Sequence, residues 1–183
     1  MVSFVHRFVL KNATGPVSFL ELGCGSGPNL RFAPRISMDC TGIDASEVAV
    51  EVCNARLERD GLRADVLHCP FGRLPFPDQS FDCVVDRASL MFADPATLDE
   101  TVAEVHRVLK PGGHFFLNTI ADGVAATLVA MDTDDGSSDT DLYAKYPDFC
   151  LTSASALATR VERTVYVPTL DVTAEWELVL QKV

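Results

Sequence analysis

Residues 18–30 read "SFLELGCGSGPNL": an apolar run, an acidic residue at Glu21, then glycines at the alternate positions 23, 25 and 27. Val17 to Leu22 is short, continuous and apolar and stops at glycine, the pattern of a buried strand. Glycines directly after such a strand allow a tight turn and let the backbone approach a ligand closely. The nicotinamide fingerprint is spaced G-x-G-x-x-G, so that a pyrophosphate meets a helix N-terminus. Here the spacing is G-x-G-x-G, and Pro28 stands where the third nicotinamide glycine would be. Glu21 lies two places before the first glycine, where a carboxylate suits a ligand that bears an ammonium and no phosphate.

Outward from this stretch the chain alternates. "ISMDCTGID" gives a second strand ending near Asp44; Ser46 caps a helix through "EVAVEVCNARLERD", with Gly61 as its stop; "ADVLHC" is a third strand. A loop rich in proline and glycine, "PFGRLPFPDQS", leads to "FDCVVD", the fourth. Asp94 then caps a helix with Pro95 in its first turn, and Leu98, Val102, Val105 and Leu109 recur at helical spacing until "PGG". "HFFLNTI" is strand five. The pattern further predicts a short helix from Pro28 limited by Pro34, another in "TSASALATR", and a closing strand pair from "RTVYVPTL" and "EWELVLQKV". Strands alternating with helices define an α/β domain with a mostly parallel sheet, whose ligands bind beyond the carboxyl ends of the strands. Glu21 to Gly27, Asp44, Cys69 to Phe71, and Asp86 with Arg87 all follow strands one to four, so they share one edge.

Composition narrows the function classes. A chain of 183 residues, 48% hydrophobic, fits one domain over residues 1–183. Its net charge of -11 repels phosphate backbones, and no local basic patch is visible in the sequence, so nucleic acid is a poor partner. No apolar run approaches the roughly 18 residues of a membrane span, and "MVSFVHRFVLKN" lacks the charge order of a signal peptide. A soluble cytoplasmic protein without membrane contact is the expectation. Cys24, Cys40, Cys53, Cys69, Cys83 and Cys150 lie scattered with no C-x-x-C pair, as reduced buried thiols do. The acidic stretch "DTDDGSSDTD" lacks the fixed glycine and terminal glutamate of a calcium loop, so no metal site is expected. No catalytic residue is singled out: His114 starts strand five at the far edge, and His106 shares a solvated helix face with Arg107. His68, near the end of strand three, is within geometric reach of the site.

Taken together, "ELGCGSG", "GIDAS", "LPFPDQSFDCVV" and "EVHRVLKPGGHFFL" resemble, in order and spacing, the class I S-adenosylmethionine-dependent methyltransferases, in particular their small, type 11-like members. The resemblance covers roughly residues 17 to 120 plus the closing strands. It implies a three-layer Rossmann-like fold with sheet order 3-2-1-4-5-7-6 and strand seven antiparallel. It also implies S-adenosylmethionine as cofactor and S-adenosylhomocysteine as product. Glu21, Gly23, Cys24 and Gly25 would hold the methionine part, largely through backbone, and Asp44 with Ala45 the ribose. Pro70 and Phe71 would lie beside the adenine, and Asp86, Arg87 and Leu90 at the methionine end. Pro70 departs from the family, which usually carries an acidic residue there, and proline has no N–H to offer. From the residues alone, Asp44 could instead be a turn former, and Asp86 could be a solvated partner of Arg87.

The activity so implied is methyl transfer to a small-molecule acceptor. The alternative is a non-catalytic S-adenosylmethionine-binding module that stabilises or activates a partner protein. Sixteen residues precede Val17, enough for a short helix with Phe4, Val5, Phe8, Val9 and Leu10 as its apolar face. The substrate pocket is therefore expected to be completed by residues 121–150 acting as a lid, or by a homodimer mate or partner protein.

Overall fold

The computed structural model describes residues 5, 9–120, 149–156 and 175–182. Seven strands form one sheet: β1 (Val17–Leu22), β2 (Met38–Asp44), β3 (Asp65–His68), β4 (Phe81–Arg87), β5 (Leu109–Ile120), β6 (Phe149–Ala156) and β7 (Glu175–Lys182). Their order is β3-β2-β1-β4-β5-β7-β6. The first five strands pair in parallel, and β7 runs antiparallel to both β5 and β6. This is the sheet the resemblance implies.

The two long helices of the described residues form for local reasons. In α1 (Glu47–Arg59) the Ser46 hydroxyl accepts the Ala49 N–H at 3.2 Å, and Gly61, with φ +64°, follows the helix end at Asp60. In α2 (Pro95–Val108) the Asp94 carboxylate takes the N–H groups of Ala96 and Thr97 at 3.0 and 3.1 Å. Proline in the first turn loses no hydrogen bond there. Arg107, near the end of α2, clamps the connection before β4: it donates to Glu104, Asp78 and the carbonyls of Leu74 and Phe76.

Alternation along β1 divides the core. Val17 and Phe19 face one apolar cluster with Cys40, Cys53 and Leu57; Leu20 and Leu22 face the other with Val102, Val105 and Phe115. Each face of the central strand is thus covered, which is why its sequence reads as an unbroken apolar run.

Two expected elements differ. From Pro28 the chain makes turns and a short 3-10 segment, Ala33–Ile36, instead of an α-helix. Arg31 and Ala33 reach back to the carbonyls of Gly27 and Asn29, and the ladder goes no further because Pro34 has no N–H to extend it. "TSASA", read as the start of a helix, lies in β6 and pairs with β7. Serine, threonine and alanine carry no strong preference, and strand pairing decides. The stop expected at "PGG" also differs: α2 ends at Val108, Leu109 is extended and pairs with Phe81, and "PGG" lies within β5, whose ladder resumes at His114 after a register shift. The predicted lid lies outside the described residues apart from its last two, which belong to β6, and so do "RTVYVPTL" and most of the first twelve residues; Val5 and Val9 are described and buried.

Leu20 is fully buried at the centre of the sheet. Leu20→Ala is expected to cost about 2–5 kcal/mol in a denaturant titration, as large-to-small changes in well-packed cores do.

Candidate functional site

Three backbone turns end at the same edge. After β1, Gly23, Gly25 and Gly27 take φ of +60, +54 and +78°, the left-handed region that favours glycine. The loop is fixed from outside: Cys24 N–H donates to Ile43 O at 2.9 Å, and Gly25 N–H to Asp44 Oδ2 at 2.8 Å. Asp44 Oδ1 takes Ser46 N–H at 2.8 Å, so one carboxylate at the end of β2 ties the glycine loop to the start of α1.

The glycines are needed for different reasons. A Cβ at Gly23 would overlap the Ser89 side chain, and one at Gly27 would overlap Cys53 Sγ of α1; at Gly25 it would meet open space. Close packing therefore fixes positions 23 and 27. At position 25 only the backbone conformation does.

Glu21 and Asp86 sit at the ends of adjacent strands, where Leu22 pairs with Asp86. They point to opposite faces of the sheet, since Glu21 shares its face with Val17 and Phe19 while Asp86 pairs with Leu22. Both are buried, at 2% and 0% exposure. Glu21 Oε1 accepts Asn29 Nδ2 at 2.5 Å, and Asp86 Oδ1 accepts Leu90 N–H at 2.9 Å and meets the Ser89 hydroxyl. The other oxygen of each, Glu21 Oε2 and Asp86 Oδ2, is buried without a partner, and among the described residues no other side-chain atom is. Burial pushes the Glu21 carboxyl up to about 8 against the pull of Asn29 and Arg87. It pushes Asp86 up to about 6 against the hydrogen bonds from Ser89 and Leu90. A buried polar atom without a partner is costly, and such atoms mark places where a ligand completes the bonding.

The other predicted residues are distributed as follows. Phe71 is half-buried, its ring edge 3.5 Å from where a Gly23 Cβ would lie. Pro70 is exposed and accepts the Cys69 thiol through its carbonyl. Ala45 is exposed and its carbonyl lies 3.0 Å from His68 Nε2. Arg87 is exposed, whereas Leu90 is buried in the core. Cys24 turns its thiol inward to Gly42 and Cys53; its N–H is taken by Ile43 O of β2 and its C=O by Gly27 N–H of the loop. The structure thus gathers Glu21, Gly23, Gly25, Asp44, Phe71 and Asp86 and turns the side chains of Cys24 and Leu90 away. Asp86 is buried, not the solvated partner of Arg87 that the sequence left open.

Two residues were not singled out from the sequence. Asn29 is the hydrogen-bond donor to Glu21, and Ser89 packs under Gly23, donating to Leu22 O at 2.9 Å. Its place directly after the glycine loop, in "GPNL", was the available signal for Asn29. For Ser89 there was none.

The opposite edge of the sheet is built differently. A trough of about 1060 Å³ there is lined by residues including Met38, Asp39, Arg63, Asp65 and Phe81. Asp82 beside it receives Lys110 Nζ at 2.8 Å and Ser18 N–H at 2.9 Å, and these bonds outweigh burial and hold its carboxyl below the usual range. Asp82 at that edge is thus paired within the protein.

A methyltransferase-domain family model matches residues 20–117, more than half of the chain. The phthiotriol/phenolphthiotriol dimycocerosates methyltransferase of Mycobacterium tuberculosis is 32% identical over 117 residues, covering 62% of this chain and 42% of that protein. The chain spans under half the length of the curated relatives it matches at its highest scores. Among solved structures, an S-adenosylmethionine-dependent methyltransferase of Methanosarcina mazei superposes with a TM-score of 0.73 at 20% identity, covering 98% of this chain and 97% of that one. The [4+2]-cyclase SpnF superposes at 0.75 and 20% identity over 99% of this chain and 79% of its own. At that identity the superpositions establish the fold alone.

Gly25→Ala is expected to be destabilised by about 1–2 kcal/mol from left-handed strain alone. Gly27→Ala adds an overlap with a buried thiol and should lose about 1–3 kcal/mol more. Denaturation of the two variants side by side checks the order. With its family model, its sheet order and its glycine loop in agreement, this chain belongs to the class I S-adenosylmethionine-dependent methyltransferase family.

Proposed function

We propose that the chain binds S-adenosylmethionine at the carboxyl edge of β1, β2 and β4 and transfers its methyl group to a small-molecule acceptor. The observation that carries this reading is the pair of buried, unpartnered carboxylate oxygens, Glu21 Oε2 and Asp86 Oδ2, beside a left-handed glycine loop. Such oxygens suit a ligand with an ammonium group, and the amino-acid end of S-adenosylmethionine bears one. The name of the mycobacterial relative gives a phthiotriol as its substrate, which supports a small-molecule acceptor here.

Each residue then has a task. Gly25, where a Cβ would meet open space, leaves room for the methionine part, and Gly23, packed against Ser89, turns the backbone beside it. Asp44 already accepts two N–H groups, yet each of its oxygens keeps a second acceptor site for a ribose hydroxyl. Ala45 flanks that position, and Phe71, with Pro70, offers an apolar face to the adenine. Asp86, Arg87 and Leu90 form the wall at the methionine end: Leu90 packs it from the core, and Arg87 places a cation near Glu21. When bound, S-adenosylmethionine supplies a methyl group on a good leaving group, and the protein's part is to position it. No dedicated base is required of the protein when the acceptor is a thiolate or a neutral amine.

S-adenosylmethionine or S-adenosylhomocysteine is expected to raise the melting temperature, and NAD is not. At ~100 times the dissociation constant the gain is about 2.7 kcal/mol. Equal shifts with NAD, or none with either sulfur compound at saturation, would sink the assignment. Asp44→Ala removes a charged acceptor worth about 1.5–3 kcal/mol per hydrogen bond. Calorimetry on that variant should show at least a tenfold weaker S-adenosylhomocysteine complex.

A further inference from the structure

We propose that the Glu21–Asp86 pair keeps a proton while the site is empty and releases it when the ammonium of an amino-acid-bearing nucleoside enters. This rests on the binding site proposed above and concerns its regulation by pH.

Hydrogen counting at Ser89 is the starting point. Its hydroxyl lies between two oxygens, the carbonyl of Leu22 at 2.9 Å and Oδ1 of Asp86. A hydroxyl carries one hydrogen and can donate to one of them. A carbonyl can only accept, so the bond to Leu22 uses that hydrogen, and the contact with Asp86 needs a hydrogen from the carboxyl. The chain Asp86 O–H to Ser89 Oγ, then Ser89 O–H to Leu22 O, gives each of these hydrogens an acceptor and leaves Asp86 Oδ2 as the unpartnered oxygen. Leu90 N–H, donating to the same Oδ1, is compatible with it.

Glu21 leads to the same result from the other face. Among the described residues it has one hydrogen-bond donor, the neutral Asn29 amide, for a side chain that is 2% exposed. The charged and titratable groups around it are mostly acidic: Asp44 on β2 and Asp86 on β4, with the thiols of Cys24 in the loop, Cys40 on β2 and Cys53 on α1. Burial and acidic neighbours hold those three thiols neutral. Arg87 on β4 is the cation that acts on Glu21, and it is exposed. Two anions in such surroundings oppose each other, and a charged Asp86 and Asp44 add to the burial that raises the Glu21 carboxyl. An ammonium that bonds one of the unpartnered oxygens at these adjacent strand ends reverses the balance and favours the charged forms.

The sign of the pH effect follows. Below the titration range of the pair the ligand must displace a proton, so S-adenosylhomocysteine binds more weakly there; affinity rises with pH between about 6 and about 8. One proton released per ligand corresponds to a tenfold gain in affinity per pH unit.

Titration calorimetry at pH 7 in phosphate and in Tris, which differ in ionisation heat, counts the protons. The two ligands are S-adenosylhomocysteine and the same compound with its amino group replaced by hydrogen. About one proton should leave with S-adenosylhomocysteine and none with the deaminated compound. In the double variant E21Q/D86N, release should vanish and the affinity for S-adenosylhomocysteine should become flat with pH. The double variant is read only where it still binds S-adenosylhomocysteine; if it does not bind or fails to fold, the two wild-type titrations decide alone. Binding of S-adenosylhomocysteine without proton release overturns the inference and leaves the binding site standing. So does equal release by both ligands, or release that persists in the double variant. Binding of neither ligand removes the site, and the inference with it.

Discussion

The Asp44 carboxylate is the joint on which the edge depends. It accepts Gly25 N–H from the loop after β1 and Ser46 N–H from the turn that opens α1. Without it, two backbone donors would be left over beside a run of three left-handed glycines. Cys24 N–H, bonded to Ile43 O one residue earlier, makes the loop continuous with β2. The loop is thereby held open by bonds to its neighbours and requires no side chain of its own. Gly27 then lets α1 come close enough for Cys53 to touch the loop, and Arg56 one turn later donates to Ser26 O at 3.2 Å. Strand, loop and helix are one rigid unit for this reason, with the ligand side left bare.

Much of this was legible in the sequence, because the signals are local. Val17–Leu22 begins and ends where the apolar run does, and Ser46, Gly61, Asp94 and Pro95 mark helix ends through bonds within a few residues. What the sequence could not show is long-range. Asn29 meets Glu21 across a turn, and Ser89 meets Gly23 from another strand's end. The fate of Asp86 hinged on burial, since the pair "DR" reads equally well as an exposed ion pair. Neither the β6 segment nor the turns after Pro28 carry a strong local preference, so tertiary pairing and a proline's missing donor decided them.

Charge distribution gives a further example of what linear order hides. Arg31, Arg35 and Arg59 converge on Asp60 at the end of α1, a cationic cluster in a chain of net charge -11. Asp60 is held below the usual carboxylate range, first by its hydrogen bond from Arg31. Cations at a helix C-terminus also oppose the negative end of its dipole. The cluster lies at the end of α1 remote from Ser46 and Asp44, so it serves the helix rather than the candidate site.

The two edges of the sheet obey opposite rules, and the contrast locates the chemistry better than any single motif. At the amino-terminal edge, charged groups that come near the core are matched: Asp82 with Lys110 and Ser18, and Lys182 Nζ with the carbonyls of His106 and Leu109 at 2.8 and 3.2 Å. At the carboxyl edge two carboxylates on adjacent strands are buried more deeply and matched less well. A fold that pairs Asp82 and Lys182 at one end has the means to do so at the other. In the reading proposed above, the acidic oxygens held in place by Asn29, Ser89 and Leu90 N–H, each side chain left with one unpartnered acceptor, are completed by a ligand that brings its own hydrogen-bond donors.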